Sequence, residues 1–209
     1  MTLEEKVQLI HDRLSKVYPN PDTELVHSNP LELLIATILS AQTTDKLVNS
    51  LTPALFEQYK TAKDFATARP EELFPYIKQV NFFGNKAKNI IASAKIIDEK
   101  YDGKVPDTME ELDALPGVAR KTANVVLWNA FGKNEGFCVD THVMRMSQRL
   151  GLTKQKDPVK IEKDLMKIVP QKEWGTFAHY LILHGRHFCI ARTHTCDNCP
   201  LEDLCPDRK

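Results

Sequence analysis

The sequence predicts an all-α fold for this 209-residue chain, on three observations. Apolar residues recur at helical spacing in segment after segment. Helix-starting residues stand before those segments (Thr with Glu three on, Asn-Pro, Asp-Pro) and glycines stand behind several of them. The apolar–polar alternation that a half-buried strand needs is nearly absent.

The elements follow in order. Leu3, Val7, Ile10, Leu14 and Val17 form the first stripe, behind a capping box of Thr2 and Glu5. The loop YPNPD ends it. Asn29 and Pro30 read as the N-cap and first residue of LELLIATILSA, which is apolar almost all round and is expected to be a buried central helix. TTDKLVNSLTPALFEQY, RPEELFPYIK and NKAKNIIASAKIIDEKYDG follow as helices, the last closed by Gly103. TMEELDAL and ARKTANVVLWNAFG flank a tight PGV hairpin. Asp140 opens THVMRMSQRL, which Gly151 closes, and Asp157 with Pro158 opens VKIEKDLMKIV. WGTFAHYLILHGRHFC is the last helix before a cysteine-rich loop. The pattern gives about ten helices joined by short loops.

Composition narrows the class. The 42% hydrophobic content is ordinary for a globular protein. Basic and acidic residues number 28 each, so net charge announces no polyanion partner, and a DNA-binding face would need segregated charge. The N-terminal MTLEEKVQLIHDRL carries acids where a signal peptide needs bases, and no apolar run approaches a membrane span. A cytoplasmic protein without structural disulfides is expected.

Cysteine use is uneven: four of the five lie in the last 21 residues, and Cys138 stands alone. Cys189, Cys196, Cys199 and Cys205 are spaced C-x6-C-x2-C-x5-C, a run that can wrap one metal centre. An iron–sulfur cluster and a four-cysteine zinc site both answer to it. Four ligands close either site, so its role is structural. His142, His179, His184, His187 and His194 are assigned to packing and surface roles, because the cysteines already complete a site.

The hairpin LDALPGVARKTANVV offers a second site. Gly117 can take the positive φ of a tight turn. The amides of Val118, Ala119 and Arg120 are then expected to face outward at a helix start, an anion site suited to a DNA phosphate. An αα-hairpin with Pro-Gly punctuation is also a common plain connector. Lys121 opposes the helix dipole in that first turn. It is either a solvated lysine near a polyanion or an amine wanted uncharged. Asp140 reads first as an N-cap, and alternatively as a carboxylate facing Lys121 across a cleft. Ser40, Ala41 and Gln42 end an apolar helix and could floor a cleft. Phe82 and Phe83, after Asn81, are adjacent aromatics at a turn, one of which could wedge between bases.

Together these stretches resemble endonuclease III, the bifunctional DNA glycosylase and abasic-site lyase of the helix–hairpin–helix superfamily. LPGVARKTANVV, VDTH about 20 residues on, ILSAQTTD near the start and LHGRHFCIARTHTCDNCPLEDLC at the end carry the likeness, in the family's order and over essentially the whole chain. The resemblance implies a two-lobed glycosylase fold. Residues 22–133 would be a six-helix barrel carrying the hairpin, and residues 1–21 and 134–209 an iron–sulfur cluster domain. It implies a 4Fe–4S cluster on Cys189, Cys196, Cys199 and Cys205. Damaged double-stranded DNA would lie across the cleft between lobes, with Lys121 and Asp140 on opposite sides. Lys121 would attack C1′, displace an oxidised pyrimidine and form a Schiff base, and β-elimination would cut 3′ to the lesion. The attacking amine must be neutral, and both a helix start and partial burial disfavour the cation. Asp140 would offset positive charge on the sugar or help deprotonate the amine. Gly117, Val118, Ala119 and Arg120 would hold the DNA backbone. Gln42 would fill the vacated space and Phe82 would be the wedge. A cytoplasmic, nucleoid-associated monomer is expected.

Three departures stand out. Ala119 replaces the usual second hairpin glycine, at about 1 kcal/mol if that position needs positive φ. The stretch between Lys121 and Asp140 is one residue longer than typical. Asn81 stands where glycine is more usual, which bears on the wedge. Other readings are a mismatch or pyrimidine-dimer glycosylase of the same superfamily, and a non-catalytic iron–sulfur DNA-binding protein, which would need neither Lys121 nor Asp140.

Overall fold

The computed structural model describes residues 1–192 and 196–208. Its regular structure is helical, with no strand among the described residues. His194 lies outside them. The chain divides into two compact units, one of residues 23–133 and one of residues 1–22 with 134–209. No helix among the described residues is long and apolar enough to cross a membrane.

Helix α1 (Leu3–Val17) belongs to the unit that contains both chain ends. Its capping box forms as the sequence predicts: the Glu5 N–H donates to Thr2 Oγ1, and the Thr2 N–H donates to Glu5 Oε2. The other unit then runs through α2 (Pro30–Ser40), α3 (Asp45–Gln58), α4 (Ala62–Thr67), α5 (Pro70–Ile77), α6 (Phe83–Tyr101), α7 (Met109–Asp113) and α8 (Arg120–Phe131). Helix α2 is the central one. Asn29 caps it by accepting from the Glu32 N–H at 3.0 Å, and Pro30 fills its first position. Every residue from Leu31 to Leu39 except Glu32 is buried. Around it pack α3, α6 and α8. Each fully buried Leu, Ile or Phe here stabilises the unit by roughly 1.5–3 kcal/mol relative to exposure.

The periodicity does not announce α4. It is one and a half turns long with two buried anchors, Ala62 and Phe65. Its start is a capping box in which Asp64 stands where Glu or Gln is usual. Phe65 stacks on Tyr59 at 5.0 Å between ring centres, and α4 packs along α6. Helix α6 begins at Phe83, two residues before the expected Asn85, and it ends on two left-handed residues, Asp102 and Gly103.

In the unit of the chain ends, α9 (Thr141–Arg149), α10 (Pro158–Ile168) and α11 (Trp174–His187) join α1, with short 3-10 turns at Gln171–Glu173 and Glu202–Leu204. Helix α11 packs against α9 and α1 over a core that includes Ile10, Leu14, Phe137, Val143, Ile161, Leu165, Phe177 and Leu181. At Gly185 the approach of α9 is close: an added Cβ would lie 3.2 Å from both the Arg145 guanidinium and His142 Cβ. Arg145 Nη2 fills that contact by donating to the Gly185 carbonyl at 2.7 Å.

Candidate active site and cysteine pocket

The hairpin is built from α7, α8 and the turn between them. Leu115 and Val118 are buried as anchors. Ser93 of α6 donates to the Pro116 carbonyl at 2.7 Å and ties the turn down. Gly117 has φ +78°, and a Cβ there would lie 2.7–2.8 Å from Asn89 side-chain atoms. Backbone shape and lack of room both demand glycine. The Val118 amide does not face outward as the sequence reading expects. It closes the turn by donating to the Leu115 carbonyl at 3.1 Å. Ala119 settles its own question: at φ −96° and ψ 166° it is extended, so its methyl carries no left-handed strain and a second glycine is not required.

Ala119 is also the N-cap of α8, with no side-chain acceptor, and the first turn holds no acidic residue. Arg120 and Lys121 occupy that turn and are both exposed. The result is an electropositive helix start carrying two cations. The partial burial expected of Lys121 is not found; the residue is exposed.

Gln42 and Phe82 are exposed. Both adopt left-handed backbone, with φ 55° and 57°, which is uncommon outside glycine. Phe83 goes the other way, packing edge-on against Phe74 at 5.0 Å. Two residues hold the Gln42 turn. Asn81 Nδ2 donates to the Gln42 carbonyl. Lys86 Nζ donates to the carbonyls of Leu39 at 2.7 Å and Ala41 at 2.6 Å, and to Thr43 Oγ1 at 3.3 Å. Lys86 is 6% exposed, and burial pushes its ammonium below the ordinary lysine range. A lysine on the inner face of a stripe of small and apolar residues (Ala87, Ile90, Ser93, Ala94, Ile97) is the signal that could have found it.

Asp140 caps α9. Its Oδ1 accepts from the His142 and Val143 amides, both at 2.8 Å. Those bonds use one carboxylate oxygen, so capping leaves the other for a second role. Behind it, burial holds the imidazoles of His142 and His179 below their ordinary range; Asp140 opposes that shift at both, and Arg145 and Arg186 reinforce it at His142. His179 Nδ1 is bonded to the Gly175 carbonyl at 2.9 Å.

The four cysteines line one small pocket with Met146, Leu150, His184 and Leu201, and none is in a disulfide. Burial pushes the Cys199 thiol up, as do its three cysteine neighbours. Arg149 Nη1 donates to Cys189 Sγ at 2.9 Å, Arg145 Nε donates to the Cys189 carbonyl at 3.2 Å, and His184 Nε2 lies 3.4 Å from Cys199 Sγ. His184 is almost fully buried, with its imidazole pushed down to about 4 by that burial. Sequence reasoning passed over Arg145 and Arg149; their i,i+4 spacing on α9 was the available signal. Among the described residues no three His, Cys, Asp or Glu side chains are arranged to hold a single metal ion.

Residues 35–171 match the family of HhH-GPD superfamily base excision DNA repair proteins. Endonuclease III of Synechocystis is 53% identical over 193 residues, 92% of this chain and 88% of that protein. This chain is a member of the endonuclease III family. The Bacillus subtilis member is 46% identical over 96% of this chain and 92% of its own length, and the Escherichia coli K12 member 44% over 92% and 91%. A solved endonuclease III in a non-covalent complex with DNA superposes with a TM-score of 0.92 at 45% identity, covering 99% of this chain and 97% of that one. A second, trapped as a covalent intermediate with DNA, matches equally well. A thermostable thymine-DNA glycosylase shares the fold at 22% identity, with a TM-score of 0.86. The endonuclease III relationship makes the protein a base excision repair DNA glycosylase.

Proposed function

We propose that the protein removes oxidised pyrimidines from duplex DNA and then cleaves the strand 3′ to the abasic site, with Lys121 as nucleophile. The carrying observation is Lys121 itself, exposed in the uncapped first turn of α8 directly after the hairpin. A lysine there is a poor choice for helix stability, and it leaves an amine free to reach a partner. A relative at 45% identity has been trapped covalently on DNA, which favours a covalent route over direct attack by water.

In this reading the duplex backbone binds at the hairpin through Gly117, Ala119, the Arg120 side chain and the α8 helix start. Phe82 wedges the stack and Gln42 fills the vacated position, once the damaged base has left the helix. Lys121 Nζ attacks C1′, the C1′–N bond breaks, and the base departs with its electron pair and a proton. The secondary amine on C1′ then breaks the C1′–O4′ bond, O4′ leaves with its electron pair and takes a proton from solvent, and the sugar opens to a protonated Schiff base. Loss of a C2′ proton then expels the 3′ phosphate by β-elimination, and water releases the lysine. The uncommitted oxygen of Asp140 offsets the positive charge that builds on the sugar.

The cysteine pocket supports a 4Fe–4S cluster held by Cys189, Cys196, Cys199 and Cys205. Four cysteines at C-x6-C-x2-C-x5-C spacing lining one pocket, in a chain of this family, support the cluster reading. When bound, the cluster cross-links a loop that has little core of its own. Arg149, donating to Cys189 Sγ, stabilises the thiolate.

The test is a single-turnover panel of duplexes bearing thymine glycol, a cyclobutane pyrimidine dimer, or a G·T mispair. Excision and nicking of the thymine glycol strand alone is expected. Activity confined to the dimer or the mispair overturns the substrate assignment, and excision without nicking overturns the lyase assignment.

A further inference from the structure

Helix α2 ends at Ser40, where no further helical amides follow; Ser40 Oγ donates to the Thr37 carbonyl at 2.9 Å and the Thr43 amide to the Ser40 carbonyl at 3.0 Å. Two of the nearby carbonyls, those of Leu39 and Ala41, are gathered by Lys86 from the first turn of α6. Together these bonds explain how α2 is capped. They do not explain the further bond from Asn81 Nδ2 to the carbonyl of Gln42 itself. Asn81 immediately precedes Phe82, and Lys86 follows it by four residues. The Gln42 turn is therefore fastened to the start of α6 on both sides of Phe82. The two residues joined this way are both exposed and both left-handed, at φ 55° and 57°. Such backbone persists in a non-glycine residue only where the surroundings fix it.

We propose that Asn81 is a positioning residue that locks the Gln42 turn to the Phe82 turn. The two side chains then enter a duplex as one preset pair, not as two independent loops. The inference rests on the reading of Gln42 and Phe82 as the inserting residues. Fixing both turns before binding removes an ordering cost that would otherwise fall on the complex. The gain appears only where insertion happens, on a duplex with a vacated position. Phosphate contacts, which an intact duplex also makes, do not depend on it.

Asn81→Ala and Asn81→Leu both remove the donor without changing charge, and Leu keeps a side chain of similar size. Asn81 is exposed, so neither change opens the core. The cluster-loaded protein is titrated with two otherwise identical duplexes, one intact and one with a tetrahydrofuran abasic analogue. A third carries 2-aminopurine opposite the analogue and reports by fluorescence whether that base is unstacked. Both variants are expected to lower the preference for the gapped duplex about five-fold, roughly the yield of one hydrogen bond. Both should also blunt the 2-aminopurine signal, while binding to the intact duplex stays within about two-fold. A wild-type preference in both Asn81 variants, with a lowered preference in Gln42→Ala, overturns the lock alone. A wild-type preference in Gln42→Ala and Phe82→Ala as well overturns the insertion reading, and the lock with it.

Discussion

Asp140→Ala and Asp140→Asn separate two demands on one carboxylate. The structure gives the cap two N–H···O bonds of 2.8 Å, both to Oδ1. Ala removes that acceptor, at about 1 kcal/mol for a lost N-cap, and a charge favourable to the helix start, at about 0.5 kcal/mol. Asn keeps a carbonyl oxygen in the same place and loses only the second contribution. For a chain of this size 1 kcal/mol moves Tm by about 2–4 °C, so Ala should lower Tm by about 3–6 °C and Asn by about 1–2 °C. Both should slow single-turnover excision about 100-fold or more, since each removes the charge offered to the developing cation. Binding of an uncleavable abasic duplex should persist in Asn. Calorimetry and single-turnover kinetics on the same preparations decide it. Asn at near wild-type rate would show that the carboxylate is only a cap. Asn melting as low as Ala would show that its activity loss is structural.

Three other outcomes are expected. Gly117→Ala should destabilise by about 2 kcal/mol or more, because left-handed backbone costs a non-glycine residue about 1–2 kcal/mol and its Cβ meets Asn89; chemical denaturation reads this, and a neutral effect refutes the hairpin geometry. Arg120→Ala should weaken binding to all duplexes alike and reduce the slope of log K against log salt by about 0.9, one phosphate contact; an unchanged slope removes Arg120 from the interface. Stability should fall in acid. Burial holds His142 and His179 below their ordinary range, so the unfolded chain binds protons that the folded chain refuses. Their contribution is complete above about pH 6.5 and is lost as the pH drops toward the folded values. Urea midpoints at acid and neutral pH measure this, with His179→Gln flattening the curve; a midpoint that rises in acid contradicts the sign.

The helices that could be read from sequence are those with long stripes and strong caps. Asn29–Pro30 before an apolar run gave α2 its start and its central place together. Helix α4 escaped because two buried residues make no period, and its capping box uses Asp. Fine geometry was the harder part of the site. Ala119 looked costly only while its φ was unknown. Val118 looked like an outward donor because a linear sequence does not show that the turn claims its amide. Lys121 is more exposed than a nucleophile was expected to be. Lys86 and Asn81 bond to oxygens about 40 residues earlier in the chain, and no local pattern encodes such a partner. The cysteine grouping was legible because all four lie close in sequence. The grip of Arg145 and Arg149 on that loop was not, since it depends on how α9 packs against α11.

Borohydride trapping bears most directly on the central assignment, that the amine of Lys121 forms the covalent bond to DNA. The protein is incubated with a thymine glycol duplex in the presence of borohydride, and the adduct is digested and mapped by mass spectrometry. The account predicts a stoichiometric adduct on the peptide containing Lys121, and none in Lys121→Gln, which should still bind the duplex. An adduct of undiminished yield in Lys121→Gln, or one mapped to another amine, would contradict it.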